Sequence, residues 1–181
     1  MVERQSALAG AALPMKFGPD LTISERRVGA IWQVTAWPES LAATGAAAAD
    51  AAGVGSAPGP GKAVEGDGAS LLRTGPLRWL IVSDAEISPP PPGAWGTLLD
   101  LSHARTVLRL EGAAVPDLMA RQMPLDLRSK AFPEGSVATS GIHHVAVTVL
   151  TRDGGLELFC FRSFGRAMLD HLAESAAQFA V

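Results

Sequence analysis

The tripeptide Asp153-Gly154-Gly155 does most to limit what this chain can fold into. Such a turn, set between two apolar runs rich in β-formers, closes a hairpin. On its N-terminal side, Ser136 to Leu150 reads as one long strand bent at Gly141, with Val145, Val147 and Val149 on one face. On its C-terminal side, Leu156 to Phe161 is the returning strand. Ser163 then caps a closing helix whose stripe is Phe164, Met168, Leu172, Ala176 and Phe179. A hairpin leading into an amphipathic helix commits this part of the chain to antiparallel sheet with a helix laid on it.

The same logic runs upstream. Val28 to Trp37 reads as a strand, with Ile31, Trp32, Val34 and Trp37 as its larger side chains. Glu39 to Ala52 is alanine-rich and helix-favouring, starting at Glu39 or Ser40. A flexible Gly/Pro-rich loop follows over about 53–69. Leu77 to Ser83 is a short apolar strand after Gly75-Pro76, and Pro89 to Pro92 form a stiff, extended stub ending at Gly93-Ala94-Trp95-Gly96. Thr97 to Leu101 and Arg105 to Leu110 read as two strands joined tightly at Ser102-His103-Ala104. Gly112 and Pro116 open a helix carrying Val115, Leu118, Met119 and Gln122, which Pro124 stops. Residues 1–26 read as a loosely held tail. Residues 27–181 read as a single α+β domain, a mostly antiparallel sheet with helices packed on it.

Composition narrows the function classes. The chain has 181 residues, 48% of them hydrophobic and 18% charged, enough for a proper core. Its net charge is −3, and the 15 Lys and Arg residues are scattered, which argues against a nucleic-acid partner. No apolar run reaches the roughly 18–20 residues that span a bilayer, and the N-terminus does not read as a signal peptide. The single cysteine, Cys160, cannot form an internal disulfide, which fits a cytoplasmic setting.

No catalytic, cofactor-binding or metal site emerges from the residues themselves. His143-His144 in a strand point to opposite faces and lack further ligands at matched spacing. They read as one buried histidine and one facing a partner. His103, beside Asp100 and Arg105, reads as a turn-fixing residue rather than a general base. Cys160 between Phe159 and Phe161 is a small buried hydrophobe. Arg162, Ser163 and Arg166 at the start of the last helix form a cap with surface charge, the other reading being an anion or partner-carboxylate site. Trp79 and Trp95 flank the proline-rich loop, one in the core and the other suited to a protein interface. No Gly-x-Gly-x-x-Gly follows a strand, so this chain alone offers no dinucleotide site.

Five pieces in order carry a family resemblance: Gly75-Pro76-Leu77-Arg78-Trp79-Leu80, Asp100-Leu101-Ser102-His103-Ala104-Arg105, Gly141-Ile142-His143-His144, Arg162-Ser163-Phe164 and the closing helix. Together they resemble the gamma subunit family of heterotetrameric sarcosine oxidase. That family is similar to the folate-binding domains of the glycine-cleavage T-protein and the tRNA-modifying GTPase. The resemblance implies a non-catalytic, structural subunit of a bacterial oxidoreductase complex in sarcosine catabolism. Such a complex demethylates sarcosine oxidatively to glycine, makes hydrogen peroxide, and passes the one-carbon unit to tetrahydrofolate. It places FAD, FMN, NAD and tetrahydrofolate in partner subunits, with none in this chain. The partners implied are the alpha and beta subunits, with delta in the same complex. Two other readings stand beside it. One is a stand-alone folate-binding or aminomethyl-transfer domain, which needs a carboxylate to hold the pterin, from among Asp84, Glu86, Asp100, Asp126 and Glu157. The other is an assembly module for a related amine oxidase.

Overall fold

The computed structural model describes residues 5–90, 93–94 and 96–180. Residues 1–4 of the expected tail, Pro91 and Pro92 of the proline stub, and Trp95 lie outside the described residues. In chain order the elements are β1 (Met15–Lys16), β2 (Thr22–Arg26), β3 (Ala30–Ala36), α1 (Leu41–Ala52), β4 (Ala63–Glu65), β5 (Ala69–Gly75), β6 (Arg78–Ser83), β7 (Gly96–Asp100), β8 (Arg105–Glu111), α2 (Val115–Met119), β9 (Val137–Ile142), β10 (Val145–Arg152), β11 (Gly155–Phe161) and α3 (Gly165–Ala176). The class is α+β, as expected, but the contacts divide the chain into two compact units. One comprises the residues up to Arg27 and from His103 onward, and the other is Val28–Ser102.

The first unit holds a six-stranded sheet in the order β1-β2-β8-β11-β10-β9. Every neighbouring pair in it is antiparallel. Alternation along the strands sends Leu156, Leu158 and Cys160 of β11, Val147 and Val149 of β10, and Leu108 and Leu110 of β8 into one core. Leu118 and Met119 of α2 and Met168, Leu169 and Leu172 of α3 cover them. Full burial of each large side chain contributes roughly 1.5–3 kcal/mol relative to exposure.

Several expectations change here. The expected long strand Ser136–Leu150 is a hairpin: β9 and β10 pair from Ile142 opposite Val145 to Val137 opposite Leu150. His143 makes the reversal with φ 51°, a left-handed conformation that few non-glycine residues adopt. That is why no Asn-Gly or Asp-Gly signal announced it. Residues 15–26, read as part of a loose tail, carry β1 and β2. Ile23 stands opposite Leu110 of β8, and Leu21 and Ile23 are buried in the core. Ser163 does not cap α3. Phe164 occupies that position without a side-chain cap bond, and the stripe shifts to Gly165, Met168, Leu169, Leu172 and Ala176. A Cβ on Gly165 would lie 2.7 Å from Thr106 Oγ1, so the missing side chain is what lets α3 start against β8.

The second unit holds a five-stranded antiparallel sheet in the order β4-β5-β6-β3-β7. α1 lies on it through the small buried residues Thr44, Gly45, Ala48, Ala49 and Ala52. Its apolar neighbours include Val34, Leu71, Trp79 and Ile81. Gly53 ends α1 at φ 67°. Its N–H donates to the Asp50 carbonyl, and the Val54 N–H donates to the Ala49 carbonyl at 2.9 Å, a Schellman closure. The expected flexible loop over 53–69 contains β4, paired with β5 from Ala63 opposite Leu72 to Glu65 opposite Ser70. The two strands expected to be joined at Ser102-His103-Ala104 exist as β7 and β8, but in different sheets. Asp100 Oδ1 accepts the Ser102 N–H at 2.8 Å, and Ser102 Oγ accepts the Ile31 N–H at 2.9 Å. These bonds tie the end of β7 back to β3 instead of forming a hairpin.

Candidate functional site

Titratable groups with the chemistry of a site are mostly committed elsewhere. Glu157 of β11 is 2% exposed and lies against two arginines. Arg26 Nη1 is 2.5 Å from its Oε2, and Arg109 Nη1 is 3.8 Å from its Oε1. Arg109 also donates to the backbone carbonyls of Arg152 at 2.5 Å and Asp153 at 3.0 Å. Burial pushes the Glu157 carboxyl above its ordinary value of 4.5, against the pull of Arg26, Arg152 and Arg109. Arg26 and Glu157 are 131 positions apart in the chain, with Arg109 between them, so no local motif marks the cluster.

The other carboxylates named as pterin holders are dispersed. Asp84, Glu86, Asp100 and Asp126 are all exposed. Asp126 is bound by Arg128 through two guanidinium bonds of 2.8 and 2.6 Å, which hold its carboxyl down at about 2. Asp100 serves the turn at Ser102.

The histidines sit differently from their strand-based reading. His143 and His144 are both exposed at the tip of the β9–β10 hairpin. The His143 ring meets that of His171 of α3 edge-on, centroids 4.4 Å apart. His171 Nε2 is 2.5 Å from Gln122 Oε1, and Gln122 Nε2 donates to Ser175 Oγ at 3.0 Å. This chain of contacts fastens the hairpin tip and the segment after α2 to the same helix. Among the described residues, no group of three or more His, Cys, Asp or Glu stands close enough to hold a metal ion. His103 is exposed in its turn. Cys160 is 1% exposed, and burial raises its thiol to about 11, so it is a poor nucleophile.

What the first unit does present is an apolar pair beside the start of α3. Phe161 and Phe164 are 43% and 44% exposed, far above the usual fate of such side chains. The Arg105 guanidinium stacks over the Phe161 ring at 4.0 Å, holding one face of it. The Arg162 N–H donates to the Ala104 carbonyl at 2.9 Å, fixing the turn that carries both rings. Arg166 is bound to Asp170 one turn on, 2.9 Å away, and so is not a free anion contact as one sequence reading had it. In the second unit, Trp37 and Leu99 are 47% and 53% exposed, while Trp79 is a core residue. Rigid, exposed aromatic rings with an arginine alongside are the chemistry of a protein-docking surface. Sequence reasoning placed Phe164 in the buried stripe of the last helix and so missed this pair. The signal available was Phe-x-x-Phe beginning at the strand end, where alternation turns Phe161 away from the core that takes Cys160.

The described residues thus combine two antiparallel sheets carrying helices with exposed aromatic rings on the surface of each unit. Comparison with known proteins gives a particular likeness. No family model matches the sequence, and no curated protein matches it. Among solved structures, the chain is similar to a chain of the heterotetrameric sarcosine oxidase from Corynebacterium sp. U-96, a structure determined in complex with pyrrole 2-carboxylate. The TM-score is 0.83 at 25% identity, and the match covers 98% of this chain and 97% of that one.

Proposed function

We propose that this chain is the non-catalytic gamma subunit of a heterotetrameric sarcosine oxidase. The observation that carries the reading is the end-to-end match to one chain of such an enzyme, 98% of one chain against 97% of the other. The commitment of Glu157 and Asp126 to arginines and the burial of Cys160 agree with a scaffold role. In this reading the chain packs against the alpha and beta subunits, with delta in the same cytoplasmic complex. FAD, FMN, NAD and tetrahydrofolate reside in those partners, where sarcosine is demethylated to glycine. The contribution of this chain is positional: Phe161 and Phe164, with Arg105 stacked on the first ring, are exposed anchors for a partner to bury, on a turn fixed by the Arg162–Ala104 bond. A standard interface of about 1,600 Å² in total needs only a few such anchors at its centre.

Co-expression with candidate alpha, beta and delta subunits, and purification through a tag on this chain, tests the proposal. A yellow complex that produces peroxide when given sarcosine is the expected result. Recovery of this chain alone and colourless, while the other subunits assemble without it, would overturn it.

A further inference from the structure

The stack of Arg105 on Phe161 carries information about what can cover it. The two residues are register partners on β8 and β11, and the guanidinium carbon lies 4.0 Å from the ring centroid. On the other side of Phe161 comes β10, where the register of Thr148 opposite Phe159 brings Ala146 level with the ring. Ala146 in turn stands opposite Gly141 of β9. Val147 and Cys160 face the core, so Ala146 and Phe161 share the other face of the sheet. Ala146 is exposed, and neither it nor Gly141 has a side chain that could cover an aromatic ring. That is why Phe161 stays 43% exposed. The row Arg105, Phe161, Ala146, Gly141 crosses four strands, roughly 14 Å at about 4.8 Å per strand spacing. Its arginine is poorly served. Arg105 is half-buried, and its guanidinium makes one long hydrogen bond, to the Ala104 carbonyl at 3.4 Å. Among the described residues no carboxylate pairs with it, whereas Arg109 has Glu157 and Arg166 has Asp170. Burial already pulls the Arg105 pKa below its ordinary value. A partner that buries Phe161 also strips water from the guanidinium stacked on it. A desolvated charge is strongly unfavourable unless it is paired and hydrogen-bonded, and a guanidinium can only donate, so the partner has to bring the acceptor.

We infer that this row docks a segment of a partner subunit in which an Asp or Glu side chain stands beside an apolar one. The carboxylate pairs with the Arg105 guanidinium, whose planar fork suits it, in charge-assisted bonds. The apolar side chain lies over Ala146 and Gly141, against the Phe161 ring. A basic or wholly apolar segment would bury the same ring but leave the guanidinium without an acceptor. The inference rests on the reading of this chain as one subunit of a heterotetrameric complex and adds to it the chemistry of the partner.

The test uses the complex co-expressed with candidate alpha, beta and delta subunits, its dissociation constant read by mass photometry on dilution. Arg105→Met keeps a long side chain against Phe161 but offers no donor. If Arg105 only supports the ring, Met should leave the complex unchanged or tighten it, because replacing a buried charge by an apolar group of similar size is often stabilising. If a partner carboxylate binds there, Met leaves that carboxylate buried and unpaired, and the dissociation constant should rise by about thirtyfold or more. Arg105→Lys, which keeps the charge without the fork, should fall between. Exposed Ala146 gives a second pair of variants that keeps the test open if Arg105→Met fails to fold. Both Ala146→Glu and Ala146→Lys fill the floor, but Glu also repels a carboxylate and should bind about tenfold more weakly than Lys. Equal binding by Arg105→Met and wild type, or Ala146→Glu binding as well as Ala146→Lys, would overturn the inference and leave the subunit reading standing. A wild-type chain that recovers none of these subunits would overturn that reading and the inference with it. A free chain that dimerises, with the dimer lost in Arg105→Met, would give the surface to a second copy and also overturn the assignment.

Discussion

Gly165 is where the start of α3 touches β8, and replacing it with alanine sets two effects of opposite sign against each other. Helix propensity favours Gly165→Ala by up to about 1 kcal/mol. The added Cβ, however, would lie 2.7 Å from Thr106 Oγ1 and 3.1 Å from both Thr106 Cβ and Cγ2. Thr106 is 5% exposed and sits in β8 opposite Cys160, so neither its rotamer nor the strand can move away cheaply. Overpacking of this kind costs typically about 1–3 kcal/mol, so the net expectation is a loss of about 1–2 kcal/mol. With a urea slope of about 1–3 kcal/mol per molar, the unfolding midpoint falls by roughly 0.5–1 M. Circular dichroism in urea measures it, and a double-mutant cycle with Thr106→Ala isolates the cause. Thr106→Ala deletes Oγ1 and Cγ2, two of the three contacting atoms, so Gly165→Ala in that background should cost much less or turn stabilising. A Gly165→Ala protein more stable than wild type, or the same penalty with and without Thr106, would refute the packing argument.

Three further outcomes are expected. Glu157 binds its proton more tightly folded than unfolded, so between 4.5 and its raised folded value the native state holds more protons and stability falls as pH rises. Glu157→Gln should remove that fall, and unfolding curves of both proteins over pH 4–8 check it: parallel pH dependences would sink the idea. Cys160, with its thiol raised to about 11, should resist iodoacetamide at pH 8 in the native chain and react only after denaturation, as mass spectrometry of the intact protein would reveal. Phe161→Ser with Phe164→Ser should change the stability of the chain by less than about 1 kcal/mol, since both rings are largely exposed, yet reduce recovery of partner subunits in the co-expression pull-down. Undiminished recovery would place the interface elsewhere.

Much of the fold could be read locally. β3, α1, β6, β11 and α3 fall close to where periodicity, alanine content and the Asp153-Gly154-Gly155 turn put them. What failed depended on partners distant in the chain. β2 (Thr-Ile-Ser-Glu-Arg) looks polar on its own and becomes a strand because Ile23 meets Leu110 and Arg26 meets Glu157. β5 hid beside a glycine-rich stretch until paired with β6. β7 and β8 follow each other so closely that a hairpin was the natural reading, and only the bonds of Asp100 and Ser102 decide otherwise. The site was less legible still, because exposure of Phe161 and Phe164 is settled by which face of β11 the core occupies.

The division of the chain also sets an order of events. β2 is made before the whole of Val28–Ser102, yet its partner β8 comes after it, with Arg26 standing opposite Val107. At about 5–20 residues per second, a ribosome leaves β2 paired with β1 alone, without β8, for several seconds. The second unit has its own sheet, and its two ends are bonded to each other, Leu101 N–H to the Ile31 carbonyl at 2.8 Å and Ile31 N–H to Ser102 Oγ at 2.9 Å. Once that unit has folded, a long loop closure has become a short one, and β2 and β8 meet across a gap their neighbour has already drawn shut. The inserted unit thus acts as a clasp for the sheet that encloses it in sequence, and the damage from a variant that loosens the Ile31–Ser102 pair would appear first as slow pairing of β2 with β8.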